Sequence, residues 1–308
     1  MSTVKRKRKS NQKTKSYKIK PEKCSPYSKG RSIVPNSCFT KGTILDLKTT
    51  YNKYNPHKIH SNDPQEVHQI IQKRLPQCEK ESCWVQHVEK DNVKNKLLSL
   101  LFAPAQPHEW KNNPSAWLSN YDILGVLNQY EKTFAHFFFI GPSSIDYDFK
   151  KPEDDMRCVC PNLCNFNLQD QYTRGKRQIG IVFNLDKHDQ GGSHWVSLFI
   201  DLDAGFVFYF DSTAAPIPPQ IKTFVKTVLN QSKTMKLKLK YYENKRMEHQ
   251  LQNNECGMYS LFFIITLLIK EKDGEKLTTA DTIALFLGKK GRITDKKMNG
   301  LRNDYFNV

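Results

Sequence analysis

The sequence lacks any apolar run long enough to cross a membrane. A spanning helix needs about 18–20 continuous apolar residues, and the longest run here, Cys256 to Ile269, is shorter and is interrupted by Gly257 and Ser260. No apolar stretch follows the N-terminal charges Lys5, Arg6, Lys7, Arg8 and Lys9, so this end does not read as a secretory signal. Cysteine is sparse and uneven, with eight in 308 residues at positions 24, 38, 78, 83, 158, 160, 164 and 256. That is unlike the dense framework of a small disulfide-stapled domain. These absences predict a soluble, intracellular protein with reduced thiols. Negative charge is also short, 31 Asp and Glu against 48 Lys and Arg, for a net charge of +17. What is present is globular: 38% hydrophobic and 11% aromatic residues, in a length suited to one large domain or two small ones.

The basic excess is concentrated at the start. Residues 1–31 carry twelve basic side chains against Glu22 alone, with few large apolar residues. A basic, disordered arm over residues 1–35 follows. Such an arm suits contact with DNA or another acidic surface, or nuclear import, while a purely solubilising tail is the plainer alternative. Residues 36–113 read as a helical N-terminal arm domain, with apolar residues at three-to-four spacing in Gln65–Leu75 and Asn92–Phe102. From 114 to 308 the pattern is that of a separate α+β core. It begins with a helix capped at Ser119, with Asp122 completing an approximate capping box. Phe137 to Ile140 reads as a buried core strand. Gln178–Leu185, Ser193–Leu202 and Phe206–Asp211 are strands rich in Val, Ile, Phe and Tyr, the last two joined at Asp203-Ala204-Gly205 as a hairpin. Pro218–Gln231 is helical, Lys236–Tyr242 alternates like an edge strand, and Cys256–Lys270 is a helix buried on most sides. Two amphipathic pieces, Thr279–Leu287 and Thr294–Tyr305, follow.

Reactive residue types gather in this core. His194 stands where the Gly191-Gly192 loop enters a strand, and Asp211 ends the partner strand, so an antiparallel pairing with a small stagger brings Asp211 to His194 Nδ1. There a carboxylate fixes the tautomer and stabilises the imidazolium. The polar loop Gln250–Glu255 runs into the buried helix at Cys256, where unpaired amides and the helix dipole favour a thiolate. The Cys256 amide and a side-chain amide from the loop can hold an oxyanion. Taken singly, each feature has an ordinary reading: a packed His, a turn-forming Asp, a polar loop, a small buried Cys.

Together, Gly192-Ser193-His194-Trp195, Tyr209-Phe210-Asp211-Ser212 and Gln250…Glu255-Cys256-Gly257-Met258 resemble the ubiquitin-like-protein (SUMO) protease family and its viral relatives. Those relatives are the adenovirus protease and the maturation proteases of large DNA viruses such as African swine fever virus. Trp117-Leu118-Ser119-Asn120-Tyr121-Asp122-Ile123 is similar to that family's Trp-Leu-x-Asp-x-x-Ile groove segment. The resemblance spans about residues 115–270. It implies a papain-like or adenain-like fold, a mixed sheet flanked by helices, and a helical N-terminal extension. It implies Cys256 as nucleophile, His194 as base, Asp211 as its orienting acid, and Gln250, or alternatively Gln252, as oxyanion donor. Trp117 and Trp195 would line a narrow tunnel for a Gly-Gly tail. Glu255 departs from the family's usual Asp.

The implied activity is a cysteine endopeptidase cutting after Gly-Gly in viral core or capsid precursors. It would need no metal or organic cofactor, act as a monomer, and reside in the virion core and the host cytoplasm, or in the nucleus if the arm is an import signal. Two other readings stand beside it: a SUMO or ubiquitin deconjugase, and a non-catalytic nucleic-acid-binding core protein on a protease scaffold. Cys158, Cys160 and Cys164 offer a zinc or redox pattern but lack a second well-spaced ligand pair, His188 being the one loose candidate, so plain thiols beside the cleft are the expectation. Gly191-Gly192 itself resembles a cleavage site that the following strand is expected to bury.

Overall fold

A computed structural model describes residues 19–88, 91–152 and 154–307. Lys5, Arg6, Lys7, Arg8 and Lys9 lie outside the described residues. The chain divides into two units, one within Met1–Glu22 and Arg31–Leu98, the other Lys23–Gly30 with Ser99–Val308.

The smaller unit is helical: α1 (Lys41–Tyr54), α2 (Pro64–Arg74), α3 (Glu81–Val88) and most of α4 (Asp91–Leu101). Thr40 and Thr43 form a capping box at the start of α1. At α2 the Asp63 carboxylate accepts the amides of Gln65 and Glu66, and Pro64 occupies the first turn, where its missing N–H costs nothing. Ile44, Leu47, Val67, Ile71 and Trp84 are fully buried. His68 and Glu81 are buried as a pair at 2.5 Å, and the second Glu81 oxygen accepts the Cys38 amide at 2.8 Å.

In the larger unit the order is α5 (Asn120–Thr133), β1 (Phe137–Ser144), β2 (Lys150–Lys151), β3 (Arg157–Cys158), α6 (Pro161–Cys164), α7 (Leu168–Thr173), β4 (Gln178–Asn184), β5 (Trp195–Asp201), β6 (Phe206–Phe210), α8 (Pro219–Thr234), β7 (Lys240–Glu243), α9 (Cys256–Ile269), β8 (Glu271–Lys272), β9 (Glu275–Lys276), α10 (Thr279–Phe286) and α11 (Asp295–Tyr305). The main sheet runs β1-β4-β5-β6-β7. Its outer pairs, β1 with β4 and β6 with β7, are parallel, and the inner pairs are antiparallel. The α+β class, the Ser119–Asp122 capping box, the buried strand over Phe137–Ile140 and the β5–β6 hairpin with Gly205 at φ 71° are all as the sequence predicts.

Period two assigns each strand residue to a face. In β6, Phe206, Phe208 and Phe210 pack with α5 and α9, while Val207 and Tyr209 face α8 through Ile221, Phe224 and Val228. Burial on both faces explains why β4, β5 and β6 read as near-continuous apolar runs. Helix α9 is buried from Cys256 through Leu268 and forms the centre of one layer. No helix among the described residues is long and apolar enough to cross a membrane.

Two expectations need correction. The sequence pattern puts the helical arm at 36–113 and the core at 114–308, but the division falls after Leu98, and Lys23–Gly30 groups with the larger unit. The reason is packing within that unit: Trp110 joins its core, and Gln129 Nε2 donates to the carbonyls of Ser99 and Phe102 at 2.9 Å each. Nor are the thiols all reduced. Short loops bring Cys78 to Cys83 and Cys158 to Cys164 with Cα separations of 5.4 and 6.3 Å, and each pair is disulfide-bonded. Cys160 and Cys256 are free.

Phe263 of α9 is fully buried, stacked on Phe210 at 4.8 Å and edge-on to Phe286 at 4.9 Å. Phe263→Ala is expected to lower unfolding stability by about 3–5 kcal/mol in urea denaturation. A loss under about 1 kcal/mol would show that α9 is not the packing centre.

Candidate active site

The β5–β6 register sets Ser197 opposite Phe210, so both His194 and Asp211 fall just beyond the paired strands at one end of the sheet. Asp211 is buried, and its Oδ1 accepts from His194 Nε2 at 2.8 Å. The same oxygen accepts the amide and hydroxyl of Thr213 at 2.9 and 2.8 Å. The nitrogen differs from expectation: Nε2, not Nδ1, meets Asp211. Continuing the register places Asp211 two positions from the residue opposite His194, and the farther ring nitrogen spans that offset. Nδ1 remains as the ring's other nitrogen, and the Cys256 side chain lies near enough to favour the protonated ring.

Cys256 is buried as the first residue of α9, after Glu255, which makes no side-chain cap. The opening amides of this helix have no carbonyl one turn earlier within it, so they and the helix dipole face the sulfur. Burial alone disfavours a charged imidazole at His194. The hydrogen bond to the Asp211 carboxylate, its negative charge and the nearby Cys256 side chain outweigh it, and the ring's pKa is pushed up to about 10.

Gln250 is buried and Gln252 is exposed. Ser212 Oγ donates to Gln250 Oε1 at 2.7 Å, and the Ser212 carbonyl accepts the amides of His249 and Gln250 at 2.8 Å each. One Gln250 amide hydrogen goes to the Gln252 carbonyl. Asp211-Ser212 and the loop before Cys256 are therefore one connected network. Asn244, which follows β7, clamps Asp211 on both sides: its Oδ1 accepts the Asp211 amide at 3.0 Å and its Nδ2 donates to the Asp211 carbonyl at 2.6 Å. Ser212 and Asn244 were missed by sequence reasoning. Asn244 carries no local signal, since its partner lies 33 residues away.

A cavity of about 700 Å³ opens beside His194, lined among others by Trp117, Leu118, Gly192, Trp195 and Cys160. Trp195 is buried and donates its indole N–H to the Leu118 carbonyl at 3.0 Å. Trp117 is 48% exposed at the rim. Gly257 is where the backbones come close: a Cβ there would lie 3.0 Å from Leu118 Cβ, so the glycine admits this wall rather than a substrate. Gly191 is exposed and Gly192 half-buried, contrary to expectation, because β5 begins only at Trp195 and leaves both in the loop. Glu255 is buried against Arg302, a residue that stands out in no motif; burial pushes its carboxyl up, and Arg302 draws it back only in part.

Cys158 and Cys164 are bonded to each other, which removes them as thiolate ligands. Cys78, Cys83 and His87 in the smaller unit have ligand atoms within 4.8 Å of one another, but the two sulfurs are likewise joined.

A paired Cys and His, with an acid behind the His and a helix N-terminus at the Cys, define the thiol-hydrolase class of site. Residues 167–306 match the Ulp1 protease family, C-terminal catalytic domain. The protein R355 of Acanthamoeba polyphaga mimivirus is 26% identical over 289 residues, 88% of this chain and 89% of R355. A cysteine protease of African swine fever virus (isolate Tick/Malawi/Lil 20-1/1983) is 26% identical over 249 residues, covering 75% of this chain and 84% of the viral protease. The crystal structure of an African swine fever virus protease superimposes with a TM-score of 0.59 at 21% identity, over 94% of this chain and 97% of that one. Residues 167–306 thus form a Ulp1-like catalytic domain, and the chain is similar over most of its length to viral cysteine proteases.

The electrostatics give a direct check. By NMR titration the His194 ring should stay protonated through neutral pH and lose its proton near pH 10. Asp211→Asn removes the negative charge that favours the protonated ring, so the midpoint should move about 1–3 pH units lower. A wild-type midpoint near 6.5 would contradict the arrangement.

Proposed function

We propose that this protease cuts polypeptide precursors after Gly-Gly, as a virion maturation enzyme, with Cys256, His194, Asp211 and Gln250 as its machinery. The observation that carries the reading is the Asp211 carboxylate bonded to His194 at 2.8 Å, with Cys256 near enough to favour the protonated ring, beside a cavity lined by Trp117 and Trp195. The Cys256 thiolate attacks the carbonyl carbon of the second glycine. The resulting oxyanion accepts from the Cys256 amide and from the Gln250 side-chain amide. His194 gives its Nδ1 proton to the departing amine as the carbon–nitrogen bond breaks, leaving a thioester. Water then attacks the thioester, His194 Nδ1 takes its proton, and the sulfur leaves as the thiolate. Throughout, Asp211 accepts from Nε2–H and holds the ring in register.

Trp117 and Trp195 both line the cavity beside His194, and aromatic walls of this kind suit a substrate tail without side chains. Kinship with proteases of large DNA viruses favours structural precursors as substrates. The basic arm, with Lys5, Arg6, Lys7, Arg8 and Lys9, would hold the enzyme on packaged DNA in the virion core or in cytoplasmic assembly sites, working as a monomer without a cofactor. A specific observation keeps deconjugation in view: the African swine fever virus relative from a South African tick isolate is named a SUMO-1 cysteine protease.

The test is digestion of a precursor-type polypeptide containing Gly-Gly-X sites and of a SUMO or ubiquitin conjugate, each with and without duplex DNA, by wild type and Cys256→Ala. The expected result is cleavage of the precursor, lost in the mutant and enhanced by DNA. Cleavage of the modifier alone moves the assignment to deconjugation, and cleavage of neither overturns it.

A further inference from the structure

Arg302, on the last turn of α11, is 3% exposed and sits between two backbone segments that meet at the cleft. Four of its N–H donors make hydrogen bonds. Nε donates to Glu255 Oε2 at 3.1 Å, and Nη2, in ion-pair contact with the same oxygen at 3.0 Å, donates to the Asn254 carbonyl at 3.2 Å. Nη1 donates to the carbonyls of Pro114 and Ala116 at 3.1 and 2.9 Å. The guanidinium lies over the Trp110 ring at 4.4 Å, and that indole donates to the same Ala116 carbonyl at 3.0 Å.

We propose that Arg302 is a positioning residue of the cleft, fixing the 114–118 groove wall to the turn that carries Cys256 so that the bound substrate and the sulfur keep a set separation. The inference rests on the protease reading above. An ion pair with Glu255 needs only one edge of the guanidinium. The three bonds to carbonyls, two on a segment nearly 190 residues from Arg302 and one on Asn254, two residues before Cys256, are what a brace requires. The Pro114 and Ala116 carbonyls precede Trp117 and Leu118, which line the cavity, and Leu118 in turn packs on Gly257. Lysine cannot reproduce the arrangement, having three donors on one point charge instead of a planar fork of five. Removing Arg302 alone would strand a buried Glu255 charge, so the informative variant removes both charges together.

Melting temperature, kcat and KM on a Gly-Gly-X peptide are to be measured for wild type, Arg302→Lys and the double variant Glu255→Gln/Arg302→Met, with Cys256→Ala as control. The double variant is expected to stay folded while kcat/KM falls about 10- to 100-fold with KM raised, because the wall is no longer tied to the nucleophile's turn. Arg302→Lys should fall between it and wild type. A folded double variant with kcat/KM within about twofold of wild type would reduce Arg302 to half of a structural ion pair. If the double variant does not fold, Arg302→Lys decides, and an unchanged KM overturns the proposal. Wild type without turnover, or turnover that survives Cys256→Ala, overturns the protease reading and this brace with it.

Discussion

The pairing of β5 with β6 is the constraint on which the site depends. Setting Ser197 against Phe210 fixes His194 and Asp211 at one end of the sheet, and the same register directs Phe199, Phe206, Phe208 and Phe210 onto α9. Helix α9 is apolar on every side, so burying it is strongly favourable and leaves it little freedom to shift. Its first residue is Cys256. The hydrophobic layer that holds the fold together therefore also sets where the sulfur meets the imidazole.

Around that axis the polar groups are tied pairwise. Asn244 holds the Asp211 backbone, Ser212 holds Gln250, and Trp195 holds the Leu118 carbonyl. His249 belongs to the same frame: its Nδ1 accepts the Ile293 amide and its Nε2 donates to the Phe286 carbonyl, a neutral ring that burial keeps from taking a proton. The contrast with His194 is instructive. Both are shielded from water, but His249 faces a backbone donor and Arg292, whereas His194 faces a carboxylate and a thiol, and their pKa values move in opposite directions.

Much of this was legible in the sequence because the signals are local. Strand alternation, the Asp203-Ala204-Gly205 turn and the apolar run after Cys256 specify the hairpin and the helix, and His194 and Asp211 follow from where those strands end. The ring nitrogen was misassigned because it depends on the pairing offset, which strand limits alone do not give. Arg302 and Asn244 were invisible for another reason: each acts on residues far away in sequence, and nothing beside them marks an Arg on an amphipathic helix or an Asn after a strand as special. The disulfides were missed because cysteine spacing does not reveal whether a short loop folds back on itself, as those of Cys78–Cys83 and Cys158–Cys164 do.

The central claim is that His194 activates a buried sulfur. It is tested most directly by the rates at which iodoacetamide modifies Cys256 and the other free cysteine, Cys160, at neutral pH, read by mass spectrometry in wild type and His194→Ala. Cys160 is the more exposed of the two, so access alone favours its reaction. The account predicts that Cys256 nevertheless reacts at least about tenfold faster, and that His194→Ala removes the advantage. Cys256 reacting no faster than Cys160, or equally fast without His194, would contradict it.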